Sequence, residues 1–252
     1  MSRVLVTGAA SGLGEAIARA FVEAGARVHA NDIDVASLER TWADVPGVSL
    51  GVADVSDDRE VERLVDEAAR TMGGLDVLIN NAGISGPTAT VEDVDPAEWR
   101  RTLDVDITGM FLCTRSVVPH LKTAGRGSII NMSSAAGRMG FAERSPYAAA
   151  KWAVVGFTKT VSIELGPFDV NVNCLQPGPI LGERMDRVMA DKAESRGVAL
   201  EDHLAERLSH ISMRRFVSAT DVAEMAVYLC SPTGHSISGQ AIAIDGDQGV
   251  LI

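Results

Sequence analysis

Arg3-Val4-Leu5-Val6-Thr7-Gly8-Ala9-Ala10-Ser11-Gly12-Leu13-Gly14 is the stretch on which the reading of the whole chain turns. Its first five residues read as a short apolar strand, and the amphipathic run from Glu15 to Ala24 reads as a helix. Between them Gly8, Ser11, Gly12, Leu13 and Gly14 form a turn in which glycines let the backbone fold tightly. Such a turn lets the chain approach a pyrophosphate, whose charge the helix N-terminus stabilises. Strand, glycine turn and helix in that order form the opening unit of an α/β fold, a Rossmann-like doubly wound parallel sheet with helices on both faces. Gly25 ends the helix, and Arg27-Val28-His29-Ala30-Asn31 is a second strand ending at Asp32. An acid about 20 residues beyond the glycine turn is placed to accept hydrogen bonds from the adenosine ribose, and it repels a 2′-phosphate. Ser11 stands where a cation would otherwise hold that phosphate, so both residues favour NAD over NADP.

The pattern repeats. Val48-Ser49-Leu50-Gly51-Val52 reads as a strand ending near Asp54-Val55, and a charged helix runs from about Asp57 to Met72. Gly73-Gly74 breaks it before a fourth strand, Leu75-Asp76-Val77-Leu78-Ile79, which ends in Asn80-Asn81-Ala82-Gly83. Small residues there permit close approach, and the amides can pin neighbouring strands and line the cofactor site. After a helix expected from Pro96 to about Leu121, Ser128-Ile129-Ile130-Asn131-Met132 reads as a buried strand that delivers Ser134 to the ligand crevice. Ser145-Pro146-Tyr147-Ala148-Ala149-Ala150-Lys151 then begins a helix, with Pro146 in its first turn. On a helix Tyr147 and Lys151 share one face, with Cβ atoms roughly 5–6 Å apart. An isolated phenol keeps its proton until about pH 10, and a cation held beside it favours the ionised form needed for base chemistry. Ser134 could hydrogen-bond a substrate oxygen while Tyr147 exchanges a proton with it. Alone, a Tyr-x-x-x-Lys pair is an ordinary helix feature; the rest of the chain gives it weight.

At 252 residues the chain suits one large domain, 1–252, with no dividing linker. Residues 1–130 are mainly the cofactor half and 131–252 the catalytic and substrate half. The net charge of −11 argues against a nucleic-acid partner, which needs a basic surface. Cys113, Cys174 and Cys230 are widely spaced in apolar sequence, with neither a disulfide frame nor metal-ligand spacing, as in a reducing compartment. The apolar core of the first seven residues is too short for a signal peptide, and no run reaches transmembrane length. A soluble, cytoplasmic protein without membrane or metal partners is expected.

Thr7-Gly8-x-x-x-Gly12-x-Gly14, Asn80-Asn81-Ala82-Gly83, Ser134, Tyr147-x-x-x-Lys151 and the late Asp245-Gly246 pair resemble, in order and spacing, the short-chain dehydrogenase/reductase family. The resemblance covers essentially the whole chain. It implies a seven-stranded sheet, a nicotinamide cofactor, Tyr147 as proton donor or acceptor, Lys151 holding the nicotinamide ribose with Tyr147 beside it, and Ser134 orienting the substrate. Asp54 and Val55 would flank the adenine, Asn81, Ala82 and Gly83 would line the cofactor, and a homotetramer would form through the helices Trp99–Leu121 and Tyr147–Leu165. Two positions depart from the family. Where it has an asparagine holding a water that links the lysine to solvent, this chain has Asp106-Ile107-Thr108-Gly109. An aspartate keeps the backbone carbonyl and adds a carboxylate that could stabilise the protonated lysine; the plainer alternative is an idle acid on a helix surface. The second departure follows the strand Val170–Leu175. Pro177 and Gly178 fix a turn that leaves room for the nicotinamide, but the threonine expected four residues after Gly178 is Gly182, so Ile180 is expected to supply backbone contacts instead.

A charged stretch from about 182 to 215 is expected to form a lid. Arg184 is the candidate for meeting an anionic or hydroxyl-rich substrate. The preferred reading is blander: Arg184, Arg187, Arg196, Arg207, His203 and His210 pair with Glu183, Asp186, Glu194, Glu201 and Glu206 on solvated faces, because the charges nearly balance. Ser218 or Thr220 can cap the last helix, Ala241–Ile244 reads as the final strand, and the apolar end Gly249–Ile252 is expected to pack on another subunit. Together these features describe an NAD-dependent oxidoreductase interconverting a secondary alcohol and a ketone, with a sugar, polyol or hydroxy acid as substrate. The alternatives are a 3-oxoacyl reductase, disfavoured by Asp32 and Ser11, and a non-catalytic dinucleotide-sensing protein.

Overall fold

The aliphatic runs pair edge to edge. The computed structural model describes residues 2–251, the side chains of Glu183 and Arg184 excepted. Its strands are β1 (Arg3–Thr7), β2 (Arg27–Asp32), β3 (Val48–Val52), β4 (Val77–Asn80), β5 (Gly127–Met132), β6 (Val170–Pro177) and β7 (Ala241–Ile244). They form one parallel sheet in the order β3-β2-β1-β4-β5-β6-β7. The order reverses between β1 and β4, so the crevice beyond their carboxyl ends is the topological switch point. The helices are α1 (Gly12–Glu23), α2 (Val35–Trp42), α3 (Asp58–Met72), α4 (Pro96–Leu103), α5 (Gly109–Ala124), α6 (Ser145–Leu165), α7 (Glu183–Arg196), α8 (Leu200–Ser209) and α9 (Ala219–Leu229).

Every residue of β4, β5 and β6 is buried, as expected of central strands covered on both faces. One core lies under α1, α2 and α9, with Ile17, Phe21, Leu38, Trp42 and Leu229. The other lies under α3, α5 and α6, with Leu64, Val65, Val117, Leu121 and Leu165. Each such side chain contributes roughly 1.5–3 kcal/mol on burial. In α3 the spacing of Val61, Leu64, Val65, Ala68 and Met72 dictates the inward stripe, and Asp57 caps it by accepting from the amides of Arg59 and Glu60. Ser218 and Asp221 form a capping box on α9. Inside the sheet, Asn80 Nδ2 donates to Asn131 Oδ1 at 2.9 Å and Thr114 Oγ1 at 3.0 Å, and Asn131 Nδ2 donates to Thr158 Oγ1 at 2.9 Å. These buried amides tie β4 and β5 to α5 and α6. Among the described residues no helix is long and apolar enough to cross a membrane.

One expectation needs correction. The helix expected from Pro96 to Leu121 is interrupted by a π turn over Asp104–Thr108, and α5 continues to Ala124. Near the end of the described chain, Arg138 bonds the Asp245 carboxylate and the Gln248 carbonyl, and Leu251 is buried in a cluster with Ala135 and Ala136 against which Phe141 and Tyr147 pack, while Val250 is exposed.

His29 on β2 is fully buried, with Nδ1 2.8 Å from Ser49 Oγ. Burial pushes its pKa below the usual histidine value, against the pull of Glu67. The unfolded chain therefore binds this proton more readily than the folded one, and stability falls as pH drops through the unfolded value of about 6.5, by at most about 1.4 kcal/mol per pH unit. Urea midpoints measured between pH 7 and 5.5 are expected to fall, and His29→Gln to flatten the slope in part, since His203 shifts in the same direction. Identical slopes for both proteins would contradict this.

Candidate active site

The strand ends converge on the glycine turn. Gly14 packs on the backbone of Gly8 so closely that a Cβ would stand 1.9 Å from the Gly8 carbonyl oxygen, whereas no atom lies within 4 Å of a Cβ built on Gly12. The turn is thus closed on its inner side and open on its outer side. Asn81 Nδ2 donates to the carbonyls of Thr7 and Gly8, both at 3.0 Å, and Thr7 Oγ1 accepts from the amides of Asn81 and Ala82 at 3.1 Å. The end of β4 is in this way clipped to the turn. Ser11 is exposed and starts α1 without capping it by a side-chain bond, and Leu13 is half-buried behind it. An open turn running into an uncapped helix N-terminus fits a pyrophosphate.

Asp32 closes β2 next to this turn. Its carboxylate accepts from the Ala10 amide at 3.0 Å and the Asp34 amide at 3.1 Å, and each oxygen retains acceptor capacity for a ribose. Asp54 lies beyond β3. Burial raises its pKa, but bonds from Ser56 and Arg101 prevail and hold it below the usual carboxylate range. Val55 is buried against Gly109. On the far side, Pro177 ends β6, the Gly178 amide donates to the Ile244 carbonyl at 2.9 Å, and Ile180 pairs with Val217. Gly182 has φ +142°, a conformation that side-chain-bearing residues rarely adopt, which accounts for the missing threonine. Arg184 lies in the first turn of α7, and its side chain is outside the described ones.

Ser134, Tyr147 and Lys151 stand at the mouth of this crevice. Ser134 Oγ accepts from the Ala136 amide at 3.2 Å, leaving its proton for a ligand oxygen. Tyr147 is half-buried in the first turns of α6. One turn on, Lys151 Nζ lies 5.5 Å from the centre of the Tyr147 ring. The ammonium donates to the Met132 carbonyl at 3.2 Å and stands 3.2 Å from Asp106 Oδ2. Asp106 is 0% exposed, and its Oδ1 accepts from the Ile84 amide at 2.7 Å. The π turn aims this carboxylate inward, so the reading of an idle surface acid fails. Asp106 is the buried counter-ion of Lys151.

The lid follows the bland reading only in part. Arg196 pairs with Glu206 at 2.7 Å on an exposed face, but His203 and Arg207 are buried. Two further buried cations, Arg144 and Lys192, stand in segments that carry no motif. The guanidinium of Arg144 lies 5.4 Å from the Phe141 ring centre and 5.3 Å from that of Tyr147. Lys192 Nζ and the Arg207 guanidinium lie 5.0 and 5.6 Å from the Phe141 ring. The three-residue spacing of Phe141, Arg144 and Tyr147 was the available signal.

Sheet order and glycine turn define a Rossmann-like α/β protein. Residues 8–247 match the family model described as enoyl-(acyl carrier protein) reductase. Trans-4-hydroxycyclohexanecarboxylate dehydrogenase of Sinomonas cyclohexanicum is 36% identical over 254 residues, covering 97% of this chain and 91% of that protein. D-β-hydroxybutyrate dehydrogenase of Rhizobium meliloti (strain 1021) is 33% identical, covering 96% of each. A crystal structure of NAD+-bound xylitol dehydrogenase superposes with a TM-score of 0.93 at 27% identity, covering 97% of this chain and 98% of that one. The chain belongs to the short-chain dehydrogenase/reductase family.

Removing one partner of a buried ion pair costs roughly 3–5 kcal/mol, because the other charge is left without compensation. Asp106→Ala is expected to destabilise the protein by about that amount, and Asp106→Asn, which can still accept from Ile84, by less. Urea unfolding compares them; unchanged midpoints would contradict the counter-ion role.

Proposed function

We propose that the protein is an NAD(H)-dependent oxidoreductase interconverting a secondary alcohol and a ketone, with Tyr147 as general acid and base. The observation that carries this reading is the buried Lys151 ammonium, fixed between Asp106 and the Met132 carbonyl and 5.5 Å from the Tyr147 ring. The turn Gly8, Ser11, Gly12, Leu13 and Gly14 would hold the pyrophosphate, Asp32 the adenosine ribose, and Asp54 and Val55 the adenine. Asn81, Ala82, Gly83, Pro177, Gly178 and Ile180 would line the nicotinamide end, with Lys151 and Tyr147 at its ribose. When bound, the dinucleotide supplies the two-electron redox chemistry.

In the oxidising direction Tyr147 Oη takes the proton of the substrate hydroxyl, and in the reducing direction it returns one. The Lys151 ammonium stabilises the ionised phenol by its charge. Ser134 Oγ donates to the substrate oxygen and aligns it with Tyr147. Asp106 keeps the ammonium in place. The chain works as one domain, its cofactor half over 1–130 and its substrate half over 131–252, with the lid at about 182–215 and Arg184 as a further candidate for substrate contact. A cytoplasmic location is in keeping with three free cysteines. A homotetramer through α5 and α6 is supported by Trp152 and Ile163, which are 52% and 78% exposed on α6.

Absorbance at 340 nm tests the reading with NAD or NADP against sugars, polyols, hydroxy acids and hydroxysteroids. Turnover with NAD is expected, and Asp32→Ala should raise the relative use of NADP. Tyr147→Phe should lower kcat by roughly 100-fold or more while NADH still binds. Turnover at the original rate in that variant would overturn the assignment.

A further inference from the structure

The first lid helix, α7, rests on a thin footing beside the segment that leads to Tyr147. Among its described side chains the buried ones are Met185, Met189, Lys192 and Ala193, and none of them joins the two cores that cover the sheet. Gly182 before α7 and Gly197 after it have φ +142° and +64°, so each end of the helix turns on a glycine. Polar contacts to one short segment hold the helix down. Lys192 Nζ donates to the Ala142 carbonyl at 2.7 Å and to Glu143 Oε2 at 3.1 Å, and Ser195 Oγ donates to Glu143 Oε1 at 2.8 Å. Both oxygens of one carboxylate are therefore committed to α7. Glu143 holds them there from a left-handed backbone, φ +60°, and strain of this kind gathers at clamps and switches. We propose that Glu143 is a positioning residue, the latch of a lid in which α7 moves on Gly182 and Gly197 and is fixed in its closed position relative to Tyr147.

Tyr147 enters because of where Glu143 lies in the chain. The Glu143 carbonyl accepts from the Ala89 amide at 2.9 Å, beyond β4, and the carbonyl of the next residue, Arg144, accepts from the Ala148 amide at 2.9 Å in the first turn of α6. Lid, β4 segment and the helix bearing Tyr147 thus meet at one place. The electrostatics agree with a latch. Ser195, and after it Lys192, hold the Glu143 carboxyl below the usual carboxylate range. Burial holds Lys192 below the ordinary lysine value, against the pull of Glu143. An ammonium so enclosed is drawn back to water once the facing carboxylate loses its charge, and because Lys192 belongs to α7 the helix lifts with it. The consequence for catalysis rests on the dehydrogenase reading above. There Ile180 lines the nicotinamide end, and α7 begins just after it, so a lifted lid frees the cofactor.

The test compares the unmodified protein with Glu143→Gln and Ser195→Ala by trypsin cleavage under native conditions, the cut sites being mapped by mass spectrometry. Cleavage after Arg187 and Arg196 in α7 reports the open lid, and cleavage after Arg63 in α3 reports global unfolding. Glu143→Gln is expected to raise the α7 rate by about tenfold and to leave the Arg63 rate unchanged, and Ser195→Ala, which removes one bond, to raise the α7 rate by about threefold. Release of NADH, followed by stopped-flow fluorescence, should quicken in the same order. If Glu143→Gln does not fold, Ser195→Ala decides, because that side chain is exposed and its loss leaves the Glu143 backbone untouched. Equal α7 rates in all the proteins, or equal acceleration at Arg63, overturn the latch. Faster α7 cleavage with unaltered NADH release overturns the placing of this lid over the site. Faster α7 cleavage in a protein that binds no NADH supports the latch and overturns the dehydrogenase reading.

Discussion

The site is organised by the need to keep one ammonium charged out of water. Burying an ion costs several kcal/mol even after relaxation, and the loss is recovered only where geometry supplies a counter-charge and hydrogen-bond acceptors. For Lys151, carried by α6, those come from two places: the Met132 carbonyl at the end of β5 and the Asp106 carboxylate from the π turn after α4. Asp106 is itself held by the Ile84 amide, just beyond β4. Because β4 and β5 are neighbours in the sheet, the pieces that satisfy the lysine are brought together by the strand order. The buried bonds among Asn80, Asn131, Thr114 and Thr158 stiffen the same junction from below.

The arrangement also explains why cofactor and substrate surfaces meet where they do. The glycine turn is pinned to the end of β4 by Asn81, and the segment that leads from β4 also supplies the clamp on Asp106. On the opposite side the chain's last residues press Leu251 against Ala135, Ala136 and Tyr147, so the segment bearing Ser134 and the helix bearing Tyr147 share a backing. Rigid support of this kind is what a proton-transfer site needs, since small misplacements carry large costs in rate.

Much of this was legible from residues alone. The glycine turn, the strand ends and the Tyr147 and Lys151 pair rest on local rules: apolar runs, turn residues and helical spacing. Asp106 was harder, because its four-residue context reads as ordinary helix. The π turn that carries it inward brings its carboxylate to a buried ammonium and to the Ile84 amide, and these come from distant segments. The lid misled for a related reason. Its charges balance on paper, and Arg196 does pair with Glu206, yet α8 turns Arg207 and His203 inward. Charge counting cannot tell which face of a helix a fold will cover. Leu251 is a similar case: an apolar end must be covered, but its sequence does not say by which surface.

The account stands or falls on chemistry at a carbinol carbon, with Tyr147 handling the proton. The most direct test supplies NAD and an accepted alcohol deuterated at that carbon, and examines the reduced cofactor by mass spectrometry. The account predicts one deuterium in each NADH formed and a ketone as product. Unlabelled NADH, or no NADH from any secondary alcohol, would contradict it.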